Sequence, residues 1–225
     1  RQILVGENDL ATVDPELAQE WDTTRNGKLT PQDVLPGTEK KVWWVCEHGH
    51  HWRAAVSART NRQSGCPYCS GKLVLPGFND LASQNPVLAA QWDTERNGSL
   101  TPDQVTSFSN RKVWWRCTLD HEWQAVIAAR VAENSGCPYC AGRRVLAGFN
   151  DLATIYPQIA VQWDDTLNGS LTPEMVTPGS RKRVWWRCGE GHVWKTAVYS
   201  RTGKQKCGCP VCAGKTKQTF QYVRP

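Results

Sequence analysis

The chain has 225 residues, a net charge of +6, ten cysteines and twelve tryptophans. No stretch approaches the eighteen or so apolar residues of a membrane span, which argues against a membrane partner. The cysteines are spaced like metal ligands rather than like a disulfide framework, and this predicts a reducing compartment such as the cytoplasm.

One pattern returns three times, at an interval of about 71 residues. We therefore predict three domains at residues 1–76, 77–147 and 148–214, followed by a tail at 215–225. A unit of this size can bury only a small apolar core, so a structural metal is a common supplement.

Each repeat opens with helical signals. The sequence Asn-Asp-Leu-Ala begins at Asn8, Asn79 and Asn150, and we expect each asparagine to cap a first short helix. A proline typical of the first helical position follows, and apolar residues at helical spacing lead to Trp21 and its equivalents. An Asn-Gly pair then ends the helix, and Leu-Thr-Pro predicts one further helical turn.

The second half of each repeat changes to strand signals. Alternating residues in 41–46 and 51–56 predict a β-hairpin whose turn is 47–50, and Cys-Pro-x-Cys predicts a second turn opposite it. The predicted fold class is thus small α+β zinc-binding domains in tandem, each a short helical lead-in plus a zinc-pinned β-hairpin.

The metal ligands follow from the spacing. In each repeat a histidine lies four residues after a cysteine, and Cys-Pro-x-Cys comes after that histidine. His121 and His192 are the only histidines of their repeats, which identifies His50 as the equivalent and leaves His48 and His51 as bystanders. Disulfides would leave one cysteine unpaired in every repeat, so we predict three closed, structural Zn²⁺ sites. Their ligands are Cys46, His50, Cys66 and Cys69; Cys117, His121, Cys137 and Cys140; and Cys188, His192, Cys209 and Cys212. Cys207 is the odd cysteine, either a spare ligand or a free thiol.

Charge is divided within each repeat. The leading part carries an excess of Asp and Glu, whereas the zinc-bearing part is basic, most strongly at 180–225 with eleven basic residues against one acidic. Basic residues recur before the Trp pair and after the hairpin, and others lie at positions that vary between repeats. The candidate nucleic-acid contacts are Lys40, Lys41, Arg53, Arg59, Arg62, Arg111, Lys112, Arg130, Lys182, Arg183, Lys195, Arg201 and Lys204.

Two of these groups have a second interpretation. Arg59, Arg130 and Arg201 suit phosphate contacts, but they equally suit internal ion pairs with the acidic part, for example Arg59 with Asp22. The variable positions could read bases or be ordinary surface. The tryptophans recur as a core does, and adjacent members of a pair, such as Trp43 and Trp44, should point to opposite faces of the strand.

The combined motifs N-D-L-A, W-W-x-C, G-H-x-W and G-C-P-Y-C resemble the zinc-ribbon or treble-clef-like tandem repeat family over nearly the whole chain. Asp120 replaces the glycine before His121, and Val211 replaces tyrosine in the last C-P-x-C, but no ligand is lost. The resemblance implies a bacterial, nucleic-acid-directed module that often accompanies nuclease-like domains. We therefore expect part of a larger protein with a fused or partner nuclease.

Two functions from different classes remain open. The first is a targeting module for double-stranded DNA, with RNA as a variant. The second is a protein-interaction scaffold that uses exposed tryptophans and the acidic faces. Catalysis and a small-molecule substrate are not expected, because each zinc site has four protein ligands and no nucleophile–base pair recurs.

Overall fold

The computed structural model describes residues 2–204 and 206–216. Most of the predicted tail, 217–225, lies outside these described residues. Within them, no helix combines the length and the apolar character needed to cross a membrane.

The three repeats contain the same elements in the same order: three single-turn helices, a 3₁₀ turn, two strands and a longer helix. The first repeat comprises α1 (Leu10–Val13), α2 (Pro15–Ala18), α3 (Thr23–Asn26), a 3₁₀ turn (Pro31–Asp33), β1 (Lys41–Val45), β2 (His51–Ala55) and α4 (Val56–Thr60). The second comprises α5 (Leu81–Gln84), α6 (Pro86–Ala89), α7 (Thr94–Asn97), a 3₁₀ turn (Pro102–Gln104), β3 (Lys112–Arg116), β4 (Glu122–Val126) and α8 (Ile127–Glu133). The third comprises α9 (Leu152–Ile155), α10 (Pro157–Ala160), α11 (Asp165–Asn168), a 3₁₀ turn (Pro173–Met175), β5 (Arg183–Arg187), β6 (Val193–Ala197) and α12 (Val198–Thr202).

The described strands form three two-stranded sheets, so each repeat is a small α+β domain, as the sequence predicts. In the first hairpin Trp43 is opposite Arg53 and Trp44 is opposite Trp52. In the third, Trp185 is opposite Lys195 and Trp186 is opposite Trp194.

The first helix of each repeat is capped by aspartate and not by the asparagine before it. The carboxylates of Asp9, Asp80 and Asp151 accept the backbone N–H three residues later, at 3.1, 2.8 and 2.9 Å. The asparagine instead holds the preceding loop, since the Oδ1 atom of Asn79 accepts the backbone N–H of Leu75 at 2.7 Å. A carboxylate is the stronger acceptor for the positive end of a helix.

A tryptophan from the helical part joins the core of each hairpin. Trp21 meets Trp44 edge to face with ring centroids 5.5 Å apart, and Trp163 meets Trp186 in the same way at 5.4 Å. Trp44 and Trp186 are fully buried. Their indole N–H groups remain satisfied, because that of Trp44 donates to the carbonyl of Ala54 at 3.1 Å. Each repeat thus builds its core around an edge-to-face pair of indoles, with valine and leucine beside them.

The chain divides into two compact units, Arg1–Trp115 with Gln124–Ala132, and Arg116–Trp123 with Glu133–Pro225. The first unit contains one Cys/His cluster and the second contains the other two. The domain boundaries at 76, 147 and 214 remain predictions.

Candidate metal centres

The hairpin supplies two of the four side chains in each Cys/His cluster. Cys46 directly follows β1 and His50 directly precedes β2. The backbone N–H of Cys46 donates to the carbonyl of His50 at 3.1 Å, and the backbone N–H of Gly49 donates to the carbonyl of Cys46 at 2.8 Å. Gly49 has a φ of 75°, which glycine adopts without strain. This tight turn brings the thiol and the imidazole side by side.

The other two side chains come from the Cys-Pro-x-Cys turn. In the first repeat Cys66 and Cys69 lie after α4, on a turn that the backbone N–H of Ser70 closes by donating to the carbonyl of Cys66 at 3.0 Å. Cys66 is buried and Cys69 is exposed, so the cluster lies at the edge of the core with one thiol toward solvent.

Four of the distances between donor atoms in the first cluster can be compared with those of a tetrahedral site. The Nδ1 atom of His50 lies 3.5 Å from the Sγ of Cys46, 3.7 Å from that of Cys66 and 3.3 Å from that of Cys69. The Sγ atoms of Cys46 and Cys69 are 3.8 Å apart. Tetrahedral zinc with ordinary Zn–S and Zn–N bonds separates two sulfurs by about 3.8 Å and a sulfur from a nitrogen by about 3.6 Å. The observed distances match these values.

The second and third clusters have the same geometry. The cysteine–histidine distances on the hairpin are 3.5 and 3.4 Å, and the sulfur–sulfur distance to the last cysteine is 3.8 Å in both. In all three clusters the four donor atoms lie within 4.8 Å of one another. The structure therefore gathers the twelve predicted zinc ligands into three clusters of four, with the membership that the spacing predicts.

The thiols of each cluster differ in acidity. Burial raises the pKa of the Cys46 thiol, but hydrogen bonds from the backbone N–H groups of His50 and His48 and from the neighbouring thiols outweigh it and hold this pKa below its ordinary value. Burial, together with the thiols of Cys66 and Cys46, raises the pKa of Cys69 to about 12. The same causes raise the pKa of Cys140 to about 12. Three adjacent thiols do not all ionise without a cation among them.

This donor set fits Zn²⁺. Thiolate and imidazole are the ligands that zinc prefers, and four protein ligands at tetrahedral distances are typical of structural sites. The predicted cofactor, three structural zinc ions, is thus supported by the geometry of the three clusters. Zinc bound there would tie each hairpin to the Cys-Pro-x-Cys turn.

Residues beyond Cys-Pro-x-Cys cover the zinc histidine. The ring of Phe78 packs edge to face on His50 with centroids 4.1 Å apart, and Phe149 packs on His121 in the same way at 4.2 Å. Asn79 fixes this contact, because its amide donates to the carbonyl of Tyr68 at 2.7 Å. The start of the second predicted repeat therefore shields the first zinc site.

We expect Phe78→Ala to speed zinc release from the first site by about tenfold, since groups that support a metal ligand are typically worth 10- to 100-fold in affinity. Chelator-triggered release, followed with a chromophoric chelator, measures this. Val87→Ala is the control, because Val87 belongs to the same compact unit but is 80% exposed. Equal release rates for both variants would show that Phe78 does not protect the site.

The thirteen predicted cations separate into two groups. Ten of them are exposed: Lys40, Lys41, Arg53, Arg62, Arg111, Lys112, Lys182, Arg183, Lys195 and Lys204. The other three, Arg59, Arg130 and Arg201, are buried with exposed fractions of 6%, 3% and 6%. These three are core residues, which takes them out of reach of a phosphate backbone.

The buried arginines lie over tryptophan rings. The guanidinium of Arg59 is 4.7 Å from the centroid of Trp44 and 5.1 Å from that of Trp52. Arg201 has the same distances to Trp186 and Trp194. Arg59 pairs with Glu20 at 2.7 Å, so its acidic partner is not the Asp22 suggested as an example from the sequence. Cation–π contact offsets part of the cost of burying the charge.

His51 and Cys207 lie outside the clusters. The Nδ1 atom of His51 is 2.7 Å from the carboxylate of Asp22, so this histidine pairs with the helical part. In the third repeat Arg187 bonds the equivalent Asp164 at 2.6 Å. The backbone N–H of Cys207 donates to the carbonyl of Ser200 at 2.9 Å, and its side chain is not among the four donors of the third cluster.

Sequence reasoning missed one structural residue. The sequence pattern indicates Asn26 only as part of a helix-ending Asn-Gly pair. Its side chain donates to the carbonyl of Trp43 and accepts from the backbone N–H of the same residue, both at 2.8 Å. Asn168 does the same for Trp185. The shared sequence signal was asparagine at the same position in all three repeats.

Comparison with known protein families agrees with this geometry. A family model described as a probable treble clef zinc finger domain matches residues 17–72, 88–143 and 159–215. Each match contains one complete Cys/His cluster. A search of curated proteins finds no match.

Proposed function

The chain belongs to this treble clef zinc-finger family, and we propose that its three repeats together bind double-stranded DNA through the outer faces of their hairpins. The observation that carries the proposal is a cation–tryptophan face repeated on the exposed side of the hairpins. Zinc in this function is structural and holds the hairpin in place.

The face is defined by the strand register. Because side chains alternate along a strand, Lys41 and Trp43 point away from the buried Trp44. Arg53 is directly opposite Trp43 and shares its side of the sheet. In the third repeat Arg183, Trp185 and Lys195 occupy the equivalent positions. In both repeats the outer tryptophan thus has one cation two residues before it on its own strand and a second cation opposite it on the neighbouring strand.

A cation lies over this outer tryptophan in every repeat, although it comes from different elements. Arg25 of α3 lies 4.9 Å from the ring of Trp43, and Arg96 of α7 lies 4.3 Å from Trp114. The third repeat has Leu167 at that helical position, and Lys195 of β6 lies 5.3 Å from Trp185 instead. Each repeat thus has a cation over its outer tryptophan even where a different element supplies that cation. This indicates that the cation matters for function.

The electrostatics favour an approach from this side. The dibasic pairs at the start of β1, β3 and β5 are all exposed. The leading parts of the repeats carry the acidic excess and would repel a phosphate backbone. Lysine and arginine contacts to phosphate position a protein without reading sequence, so we expect mainly non-specific affinity from these residues.

We expect Lys182→Ala with Arg183→Ala to weaken duplex binding by about tenfold or more and to reduce the slope of log K against log salt by up to about two, since each lost phosphate contact contributes about 0.9. Fluorescence anisotropy with a labelled duplex over a range of salt concentrations measures both quantities. Zinc content and folding should be unchanged.

The matched control is Arg143→Ala with Arg144→Ala, which removes the same charge from exposed residues outside the hairpins. An equal loss from both double variants would mean that overall charge, and not the hairpin face, attracts DNA. In the opposite direction, Glu133→Lys should raise affinity, because the equivalent residues Arg62 and Lys204 are cations. The proposal would be overturned if duplex binding by the folded protein is unchanged both by the Lys182 and Arg183 double variant and by Glu133→Lys.

The same titration addresses two further points. Comparison of duplex DNA with duplex and single-stranded RNA tests the preference for DNA. If neither binds, a protein-interaction scaffold takes the place of this proposal.

We further propose that the module itself is not an enzyme and that it targets a fused or partner nuclease in the cytoplasm of a bacterium. DNA cleavage by the isolated, zinc-loaded chain would contradict this.

A further inference from the structure

We propose that His48 is an alternate ligand of the first zinc ion, which takes the position of His50 when that imidazole is lost or displaced. The sequence pattern leaves His48 as a bystander, because the other two repeats have no histidine at this position. The structure places its imidazole at the edge of the cluster.

One metal-ligand distance is already in place. The Nδ1 atom of His48 lies 3.7 Å from the Sγ of Cys69, compared with 3.3 Å for His50. A sulfur and a nitrogen bound to the same tetrahedral zinc are about 3.6 Å apart. The two histidine rings are stacked, with centroids 6.0 Å apart and planes 14° from parallel. The ring plane of His48 is thus nearly parallel to that of the ligand that it would replace.

The backbone of His48 belongs to the site as well. Its N–H donates to the thiol of Cys46, which holds the turn against the cluster. The side chain is 54% exposed and lies 3.7 Å from the carboxylate of Glu47, which is 87% exposed. Such surface pairs are weak, so this pair does little to oppose rotation of the imidazole toward the metal. The ring also lies beside Phe78, with centroids 6.3 Å apart, and this contact rearranges if the imidazole rotates.

The other repeats provide internal controls. The residues equivalent to His48 are Leu119 and Glu190. Leucine offers no donor atom, and the ligand sets of all three clusters are otherwise identical. A difference between the first and second sites after loss of the main histidine therefore reports on His48.

The test compares three variants of the whole chain, His50→Ala, His121→Ala and the double variant His48→Ala with His50→Ala. Zinc is measured by elemental analysis after gel filtration, and its release with a chromophoric chelator. We expect His50→Ala to keep three zinc ions and to release the first within about tenfold of the unchanged rate. We expect His121→Ala and the double variant to lose one ion or to release it more than about 100-fold faster, since a structural zinc draws its affinity from all four ligands.

The double variant also shows how tightly the three cysteines hold zinc when both His48 and His50 are absent. If His50→Ala and the double variant behave alike, the proposal is overturned. A ¹⁵N correlation spectrum of the imidazoles gives an independent reading, because zinc on His48 shifts its Nδ1 resonance in His50→Ala. An unshifted Nδ1 in the zinc-loaded variant also overturns the proposal.

A transplanted histidine keeps the test decisive if His50→Ala fails to fold. Leu119→His combined with His121→Ala recreates the proposed arrangement in the second repeat. We expect the transplant to recover the zinc ion that His121→Ala alone loses. Failure to recover it, with the rest of the chain folded, counts against an alternate ligand at this position of the turn.

Discussion

Removal of zinc is expected to unfold all three repeats. A repeat of about 70 residues rarely gains more than 3–5 kcal/mol from its apolar core, whereas structural zinc contributes about 10–16 kcal/mol of apparent binding free energy. Without metal, each cluster also leaves three thiols packed together, and burial with the neighbouring thiols raises the pKa of Cys69 and Cys140 to about 12, which opposes their ionisation. The loss of zinc therefore removes more free energy than the core supplies.

The twelve tryptophans give a direct measurement of this unfolding. Titration with a strong chelator should shift their emission to the red as three zinc ions per chain are released, and added zinc should restore it. A control titration with magnesium present and no chelator should change nothing, because magnesium prefers oxygen ligands. Native emission and circular dichroism after complete zinc removal would contradict the prediction, as would fewer than two zinc ions in protein purified without chelators.

The metal sites were predictable because ligand chemistry is local in sequence. Each site consists of two short turns, and the interval from cysteine to histidine fixes one of them. Repetition then identifies the histidine ligand, because His121 and His192 align with His50 among three neighbouring histidines. The hairpin was predictable for a similar reason, since alternation along β1 reflects its one buried face.

The role of the recurring arginine was not predictable in this way. A cation that recurs beside a basic strand suits a phosphate contact and an internal contact equally well. Only the packing of α4 against the sheet places Arg59 over the rings of Trp44 and Trp52. Similarly, nothing local indicates that the side chain of Asn26 bonds the backbone of Trp43, which is 17 residues away.

The sharpest test of the fold uses two adjacent tryptophans with opposite surroundings. Trp44 is fully buried, stacks edge to face on Trp21 and donates a hydrogen bond to Ala54. We expect Trp44→Ala to destabilise the first repeat by about 3–5 kcal/mol, the usual cost of truncating a buried tryptophan. That equals the whole contribution expected of so small a core. The first zinc site should therefore lose protection, measured as faster chelator-triggered release and faster amide exchange in β1 and β2.

Trp43→Ala is the matched control, because it removes the same side chain one residue away on the opposite face. Trp43 is only half-buried and contacts Arg25 instead of the core. We expect this variant to keep three zinc ions and native amide protection while it weakens binding to duplex DNA. Equal destabilisation by the two variants would show that the outer tryptophan is a core residue, and the hairpin face would then lose its aromatic contact. If Trp43→Ala is as stable as the unchanged chain and binds duplex DNA equally well, the exposed cations would be the only contacts that this face offers.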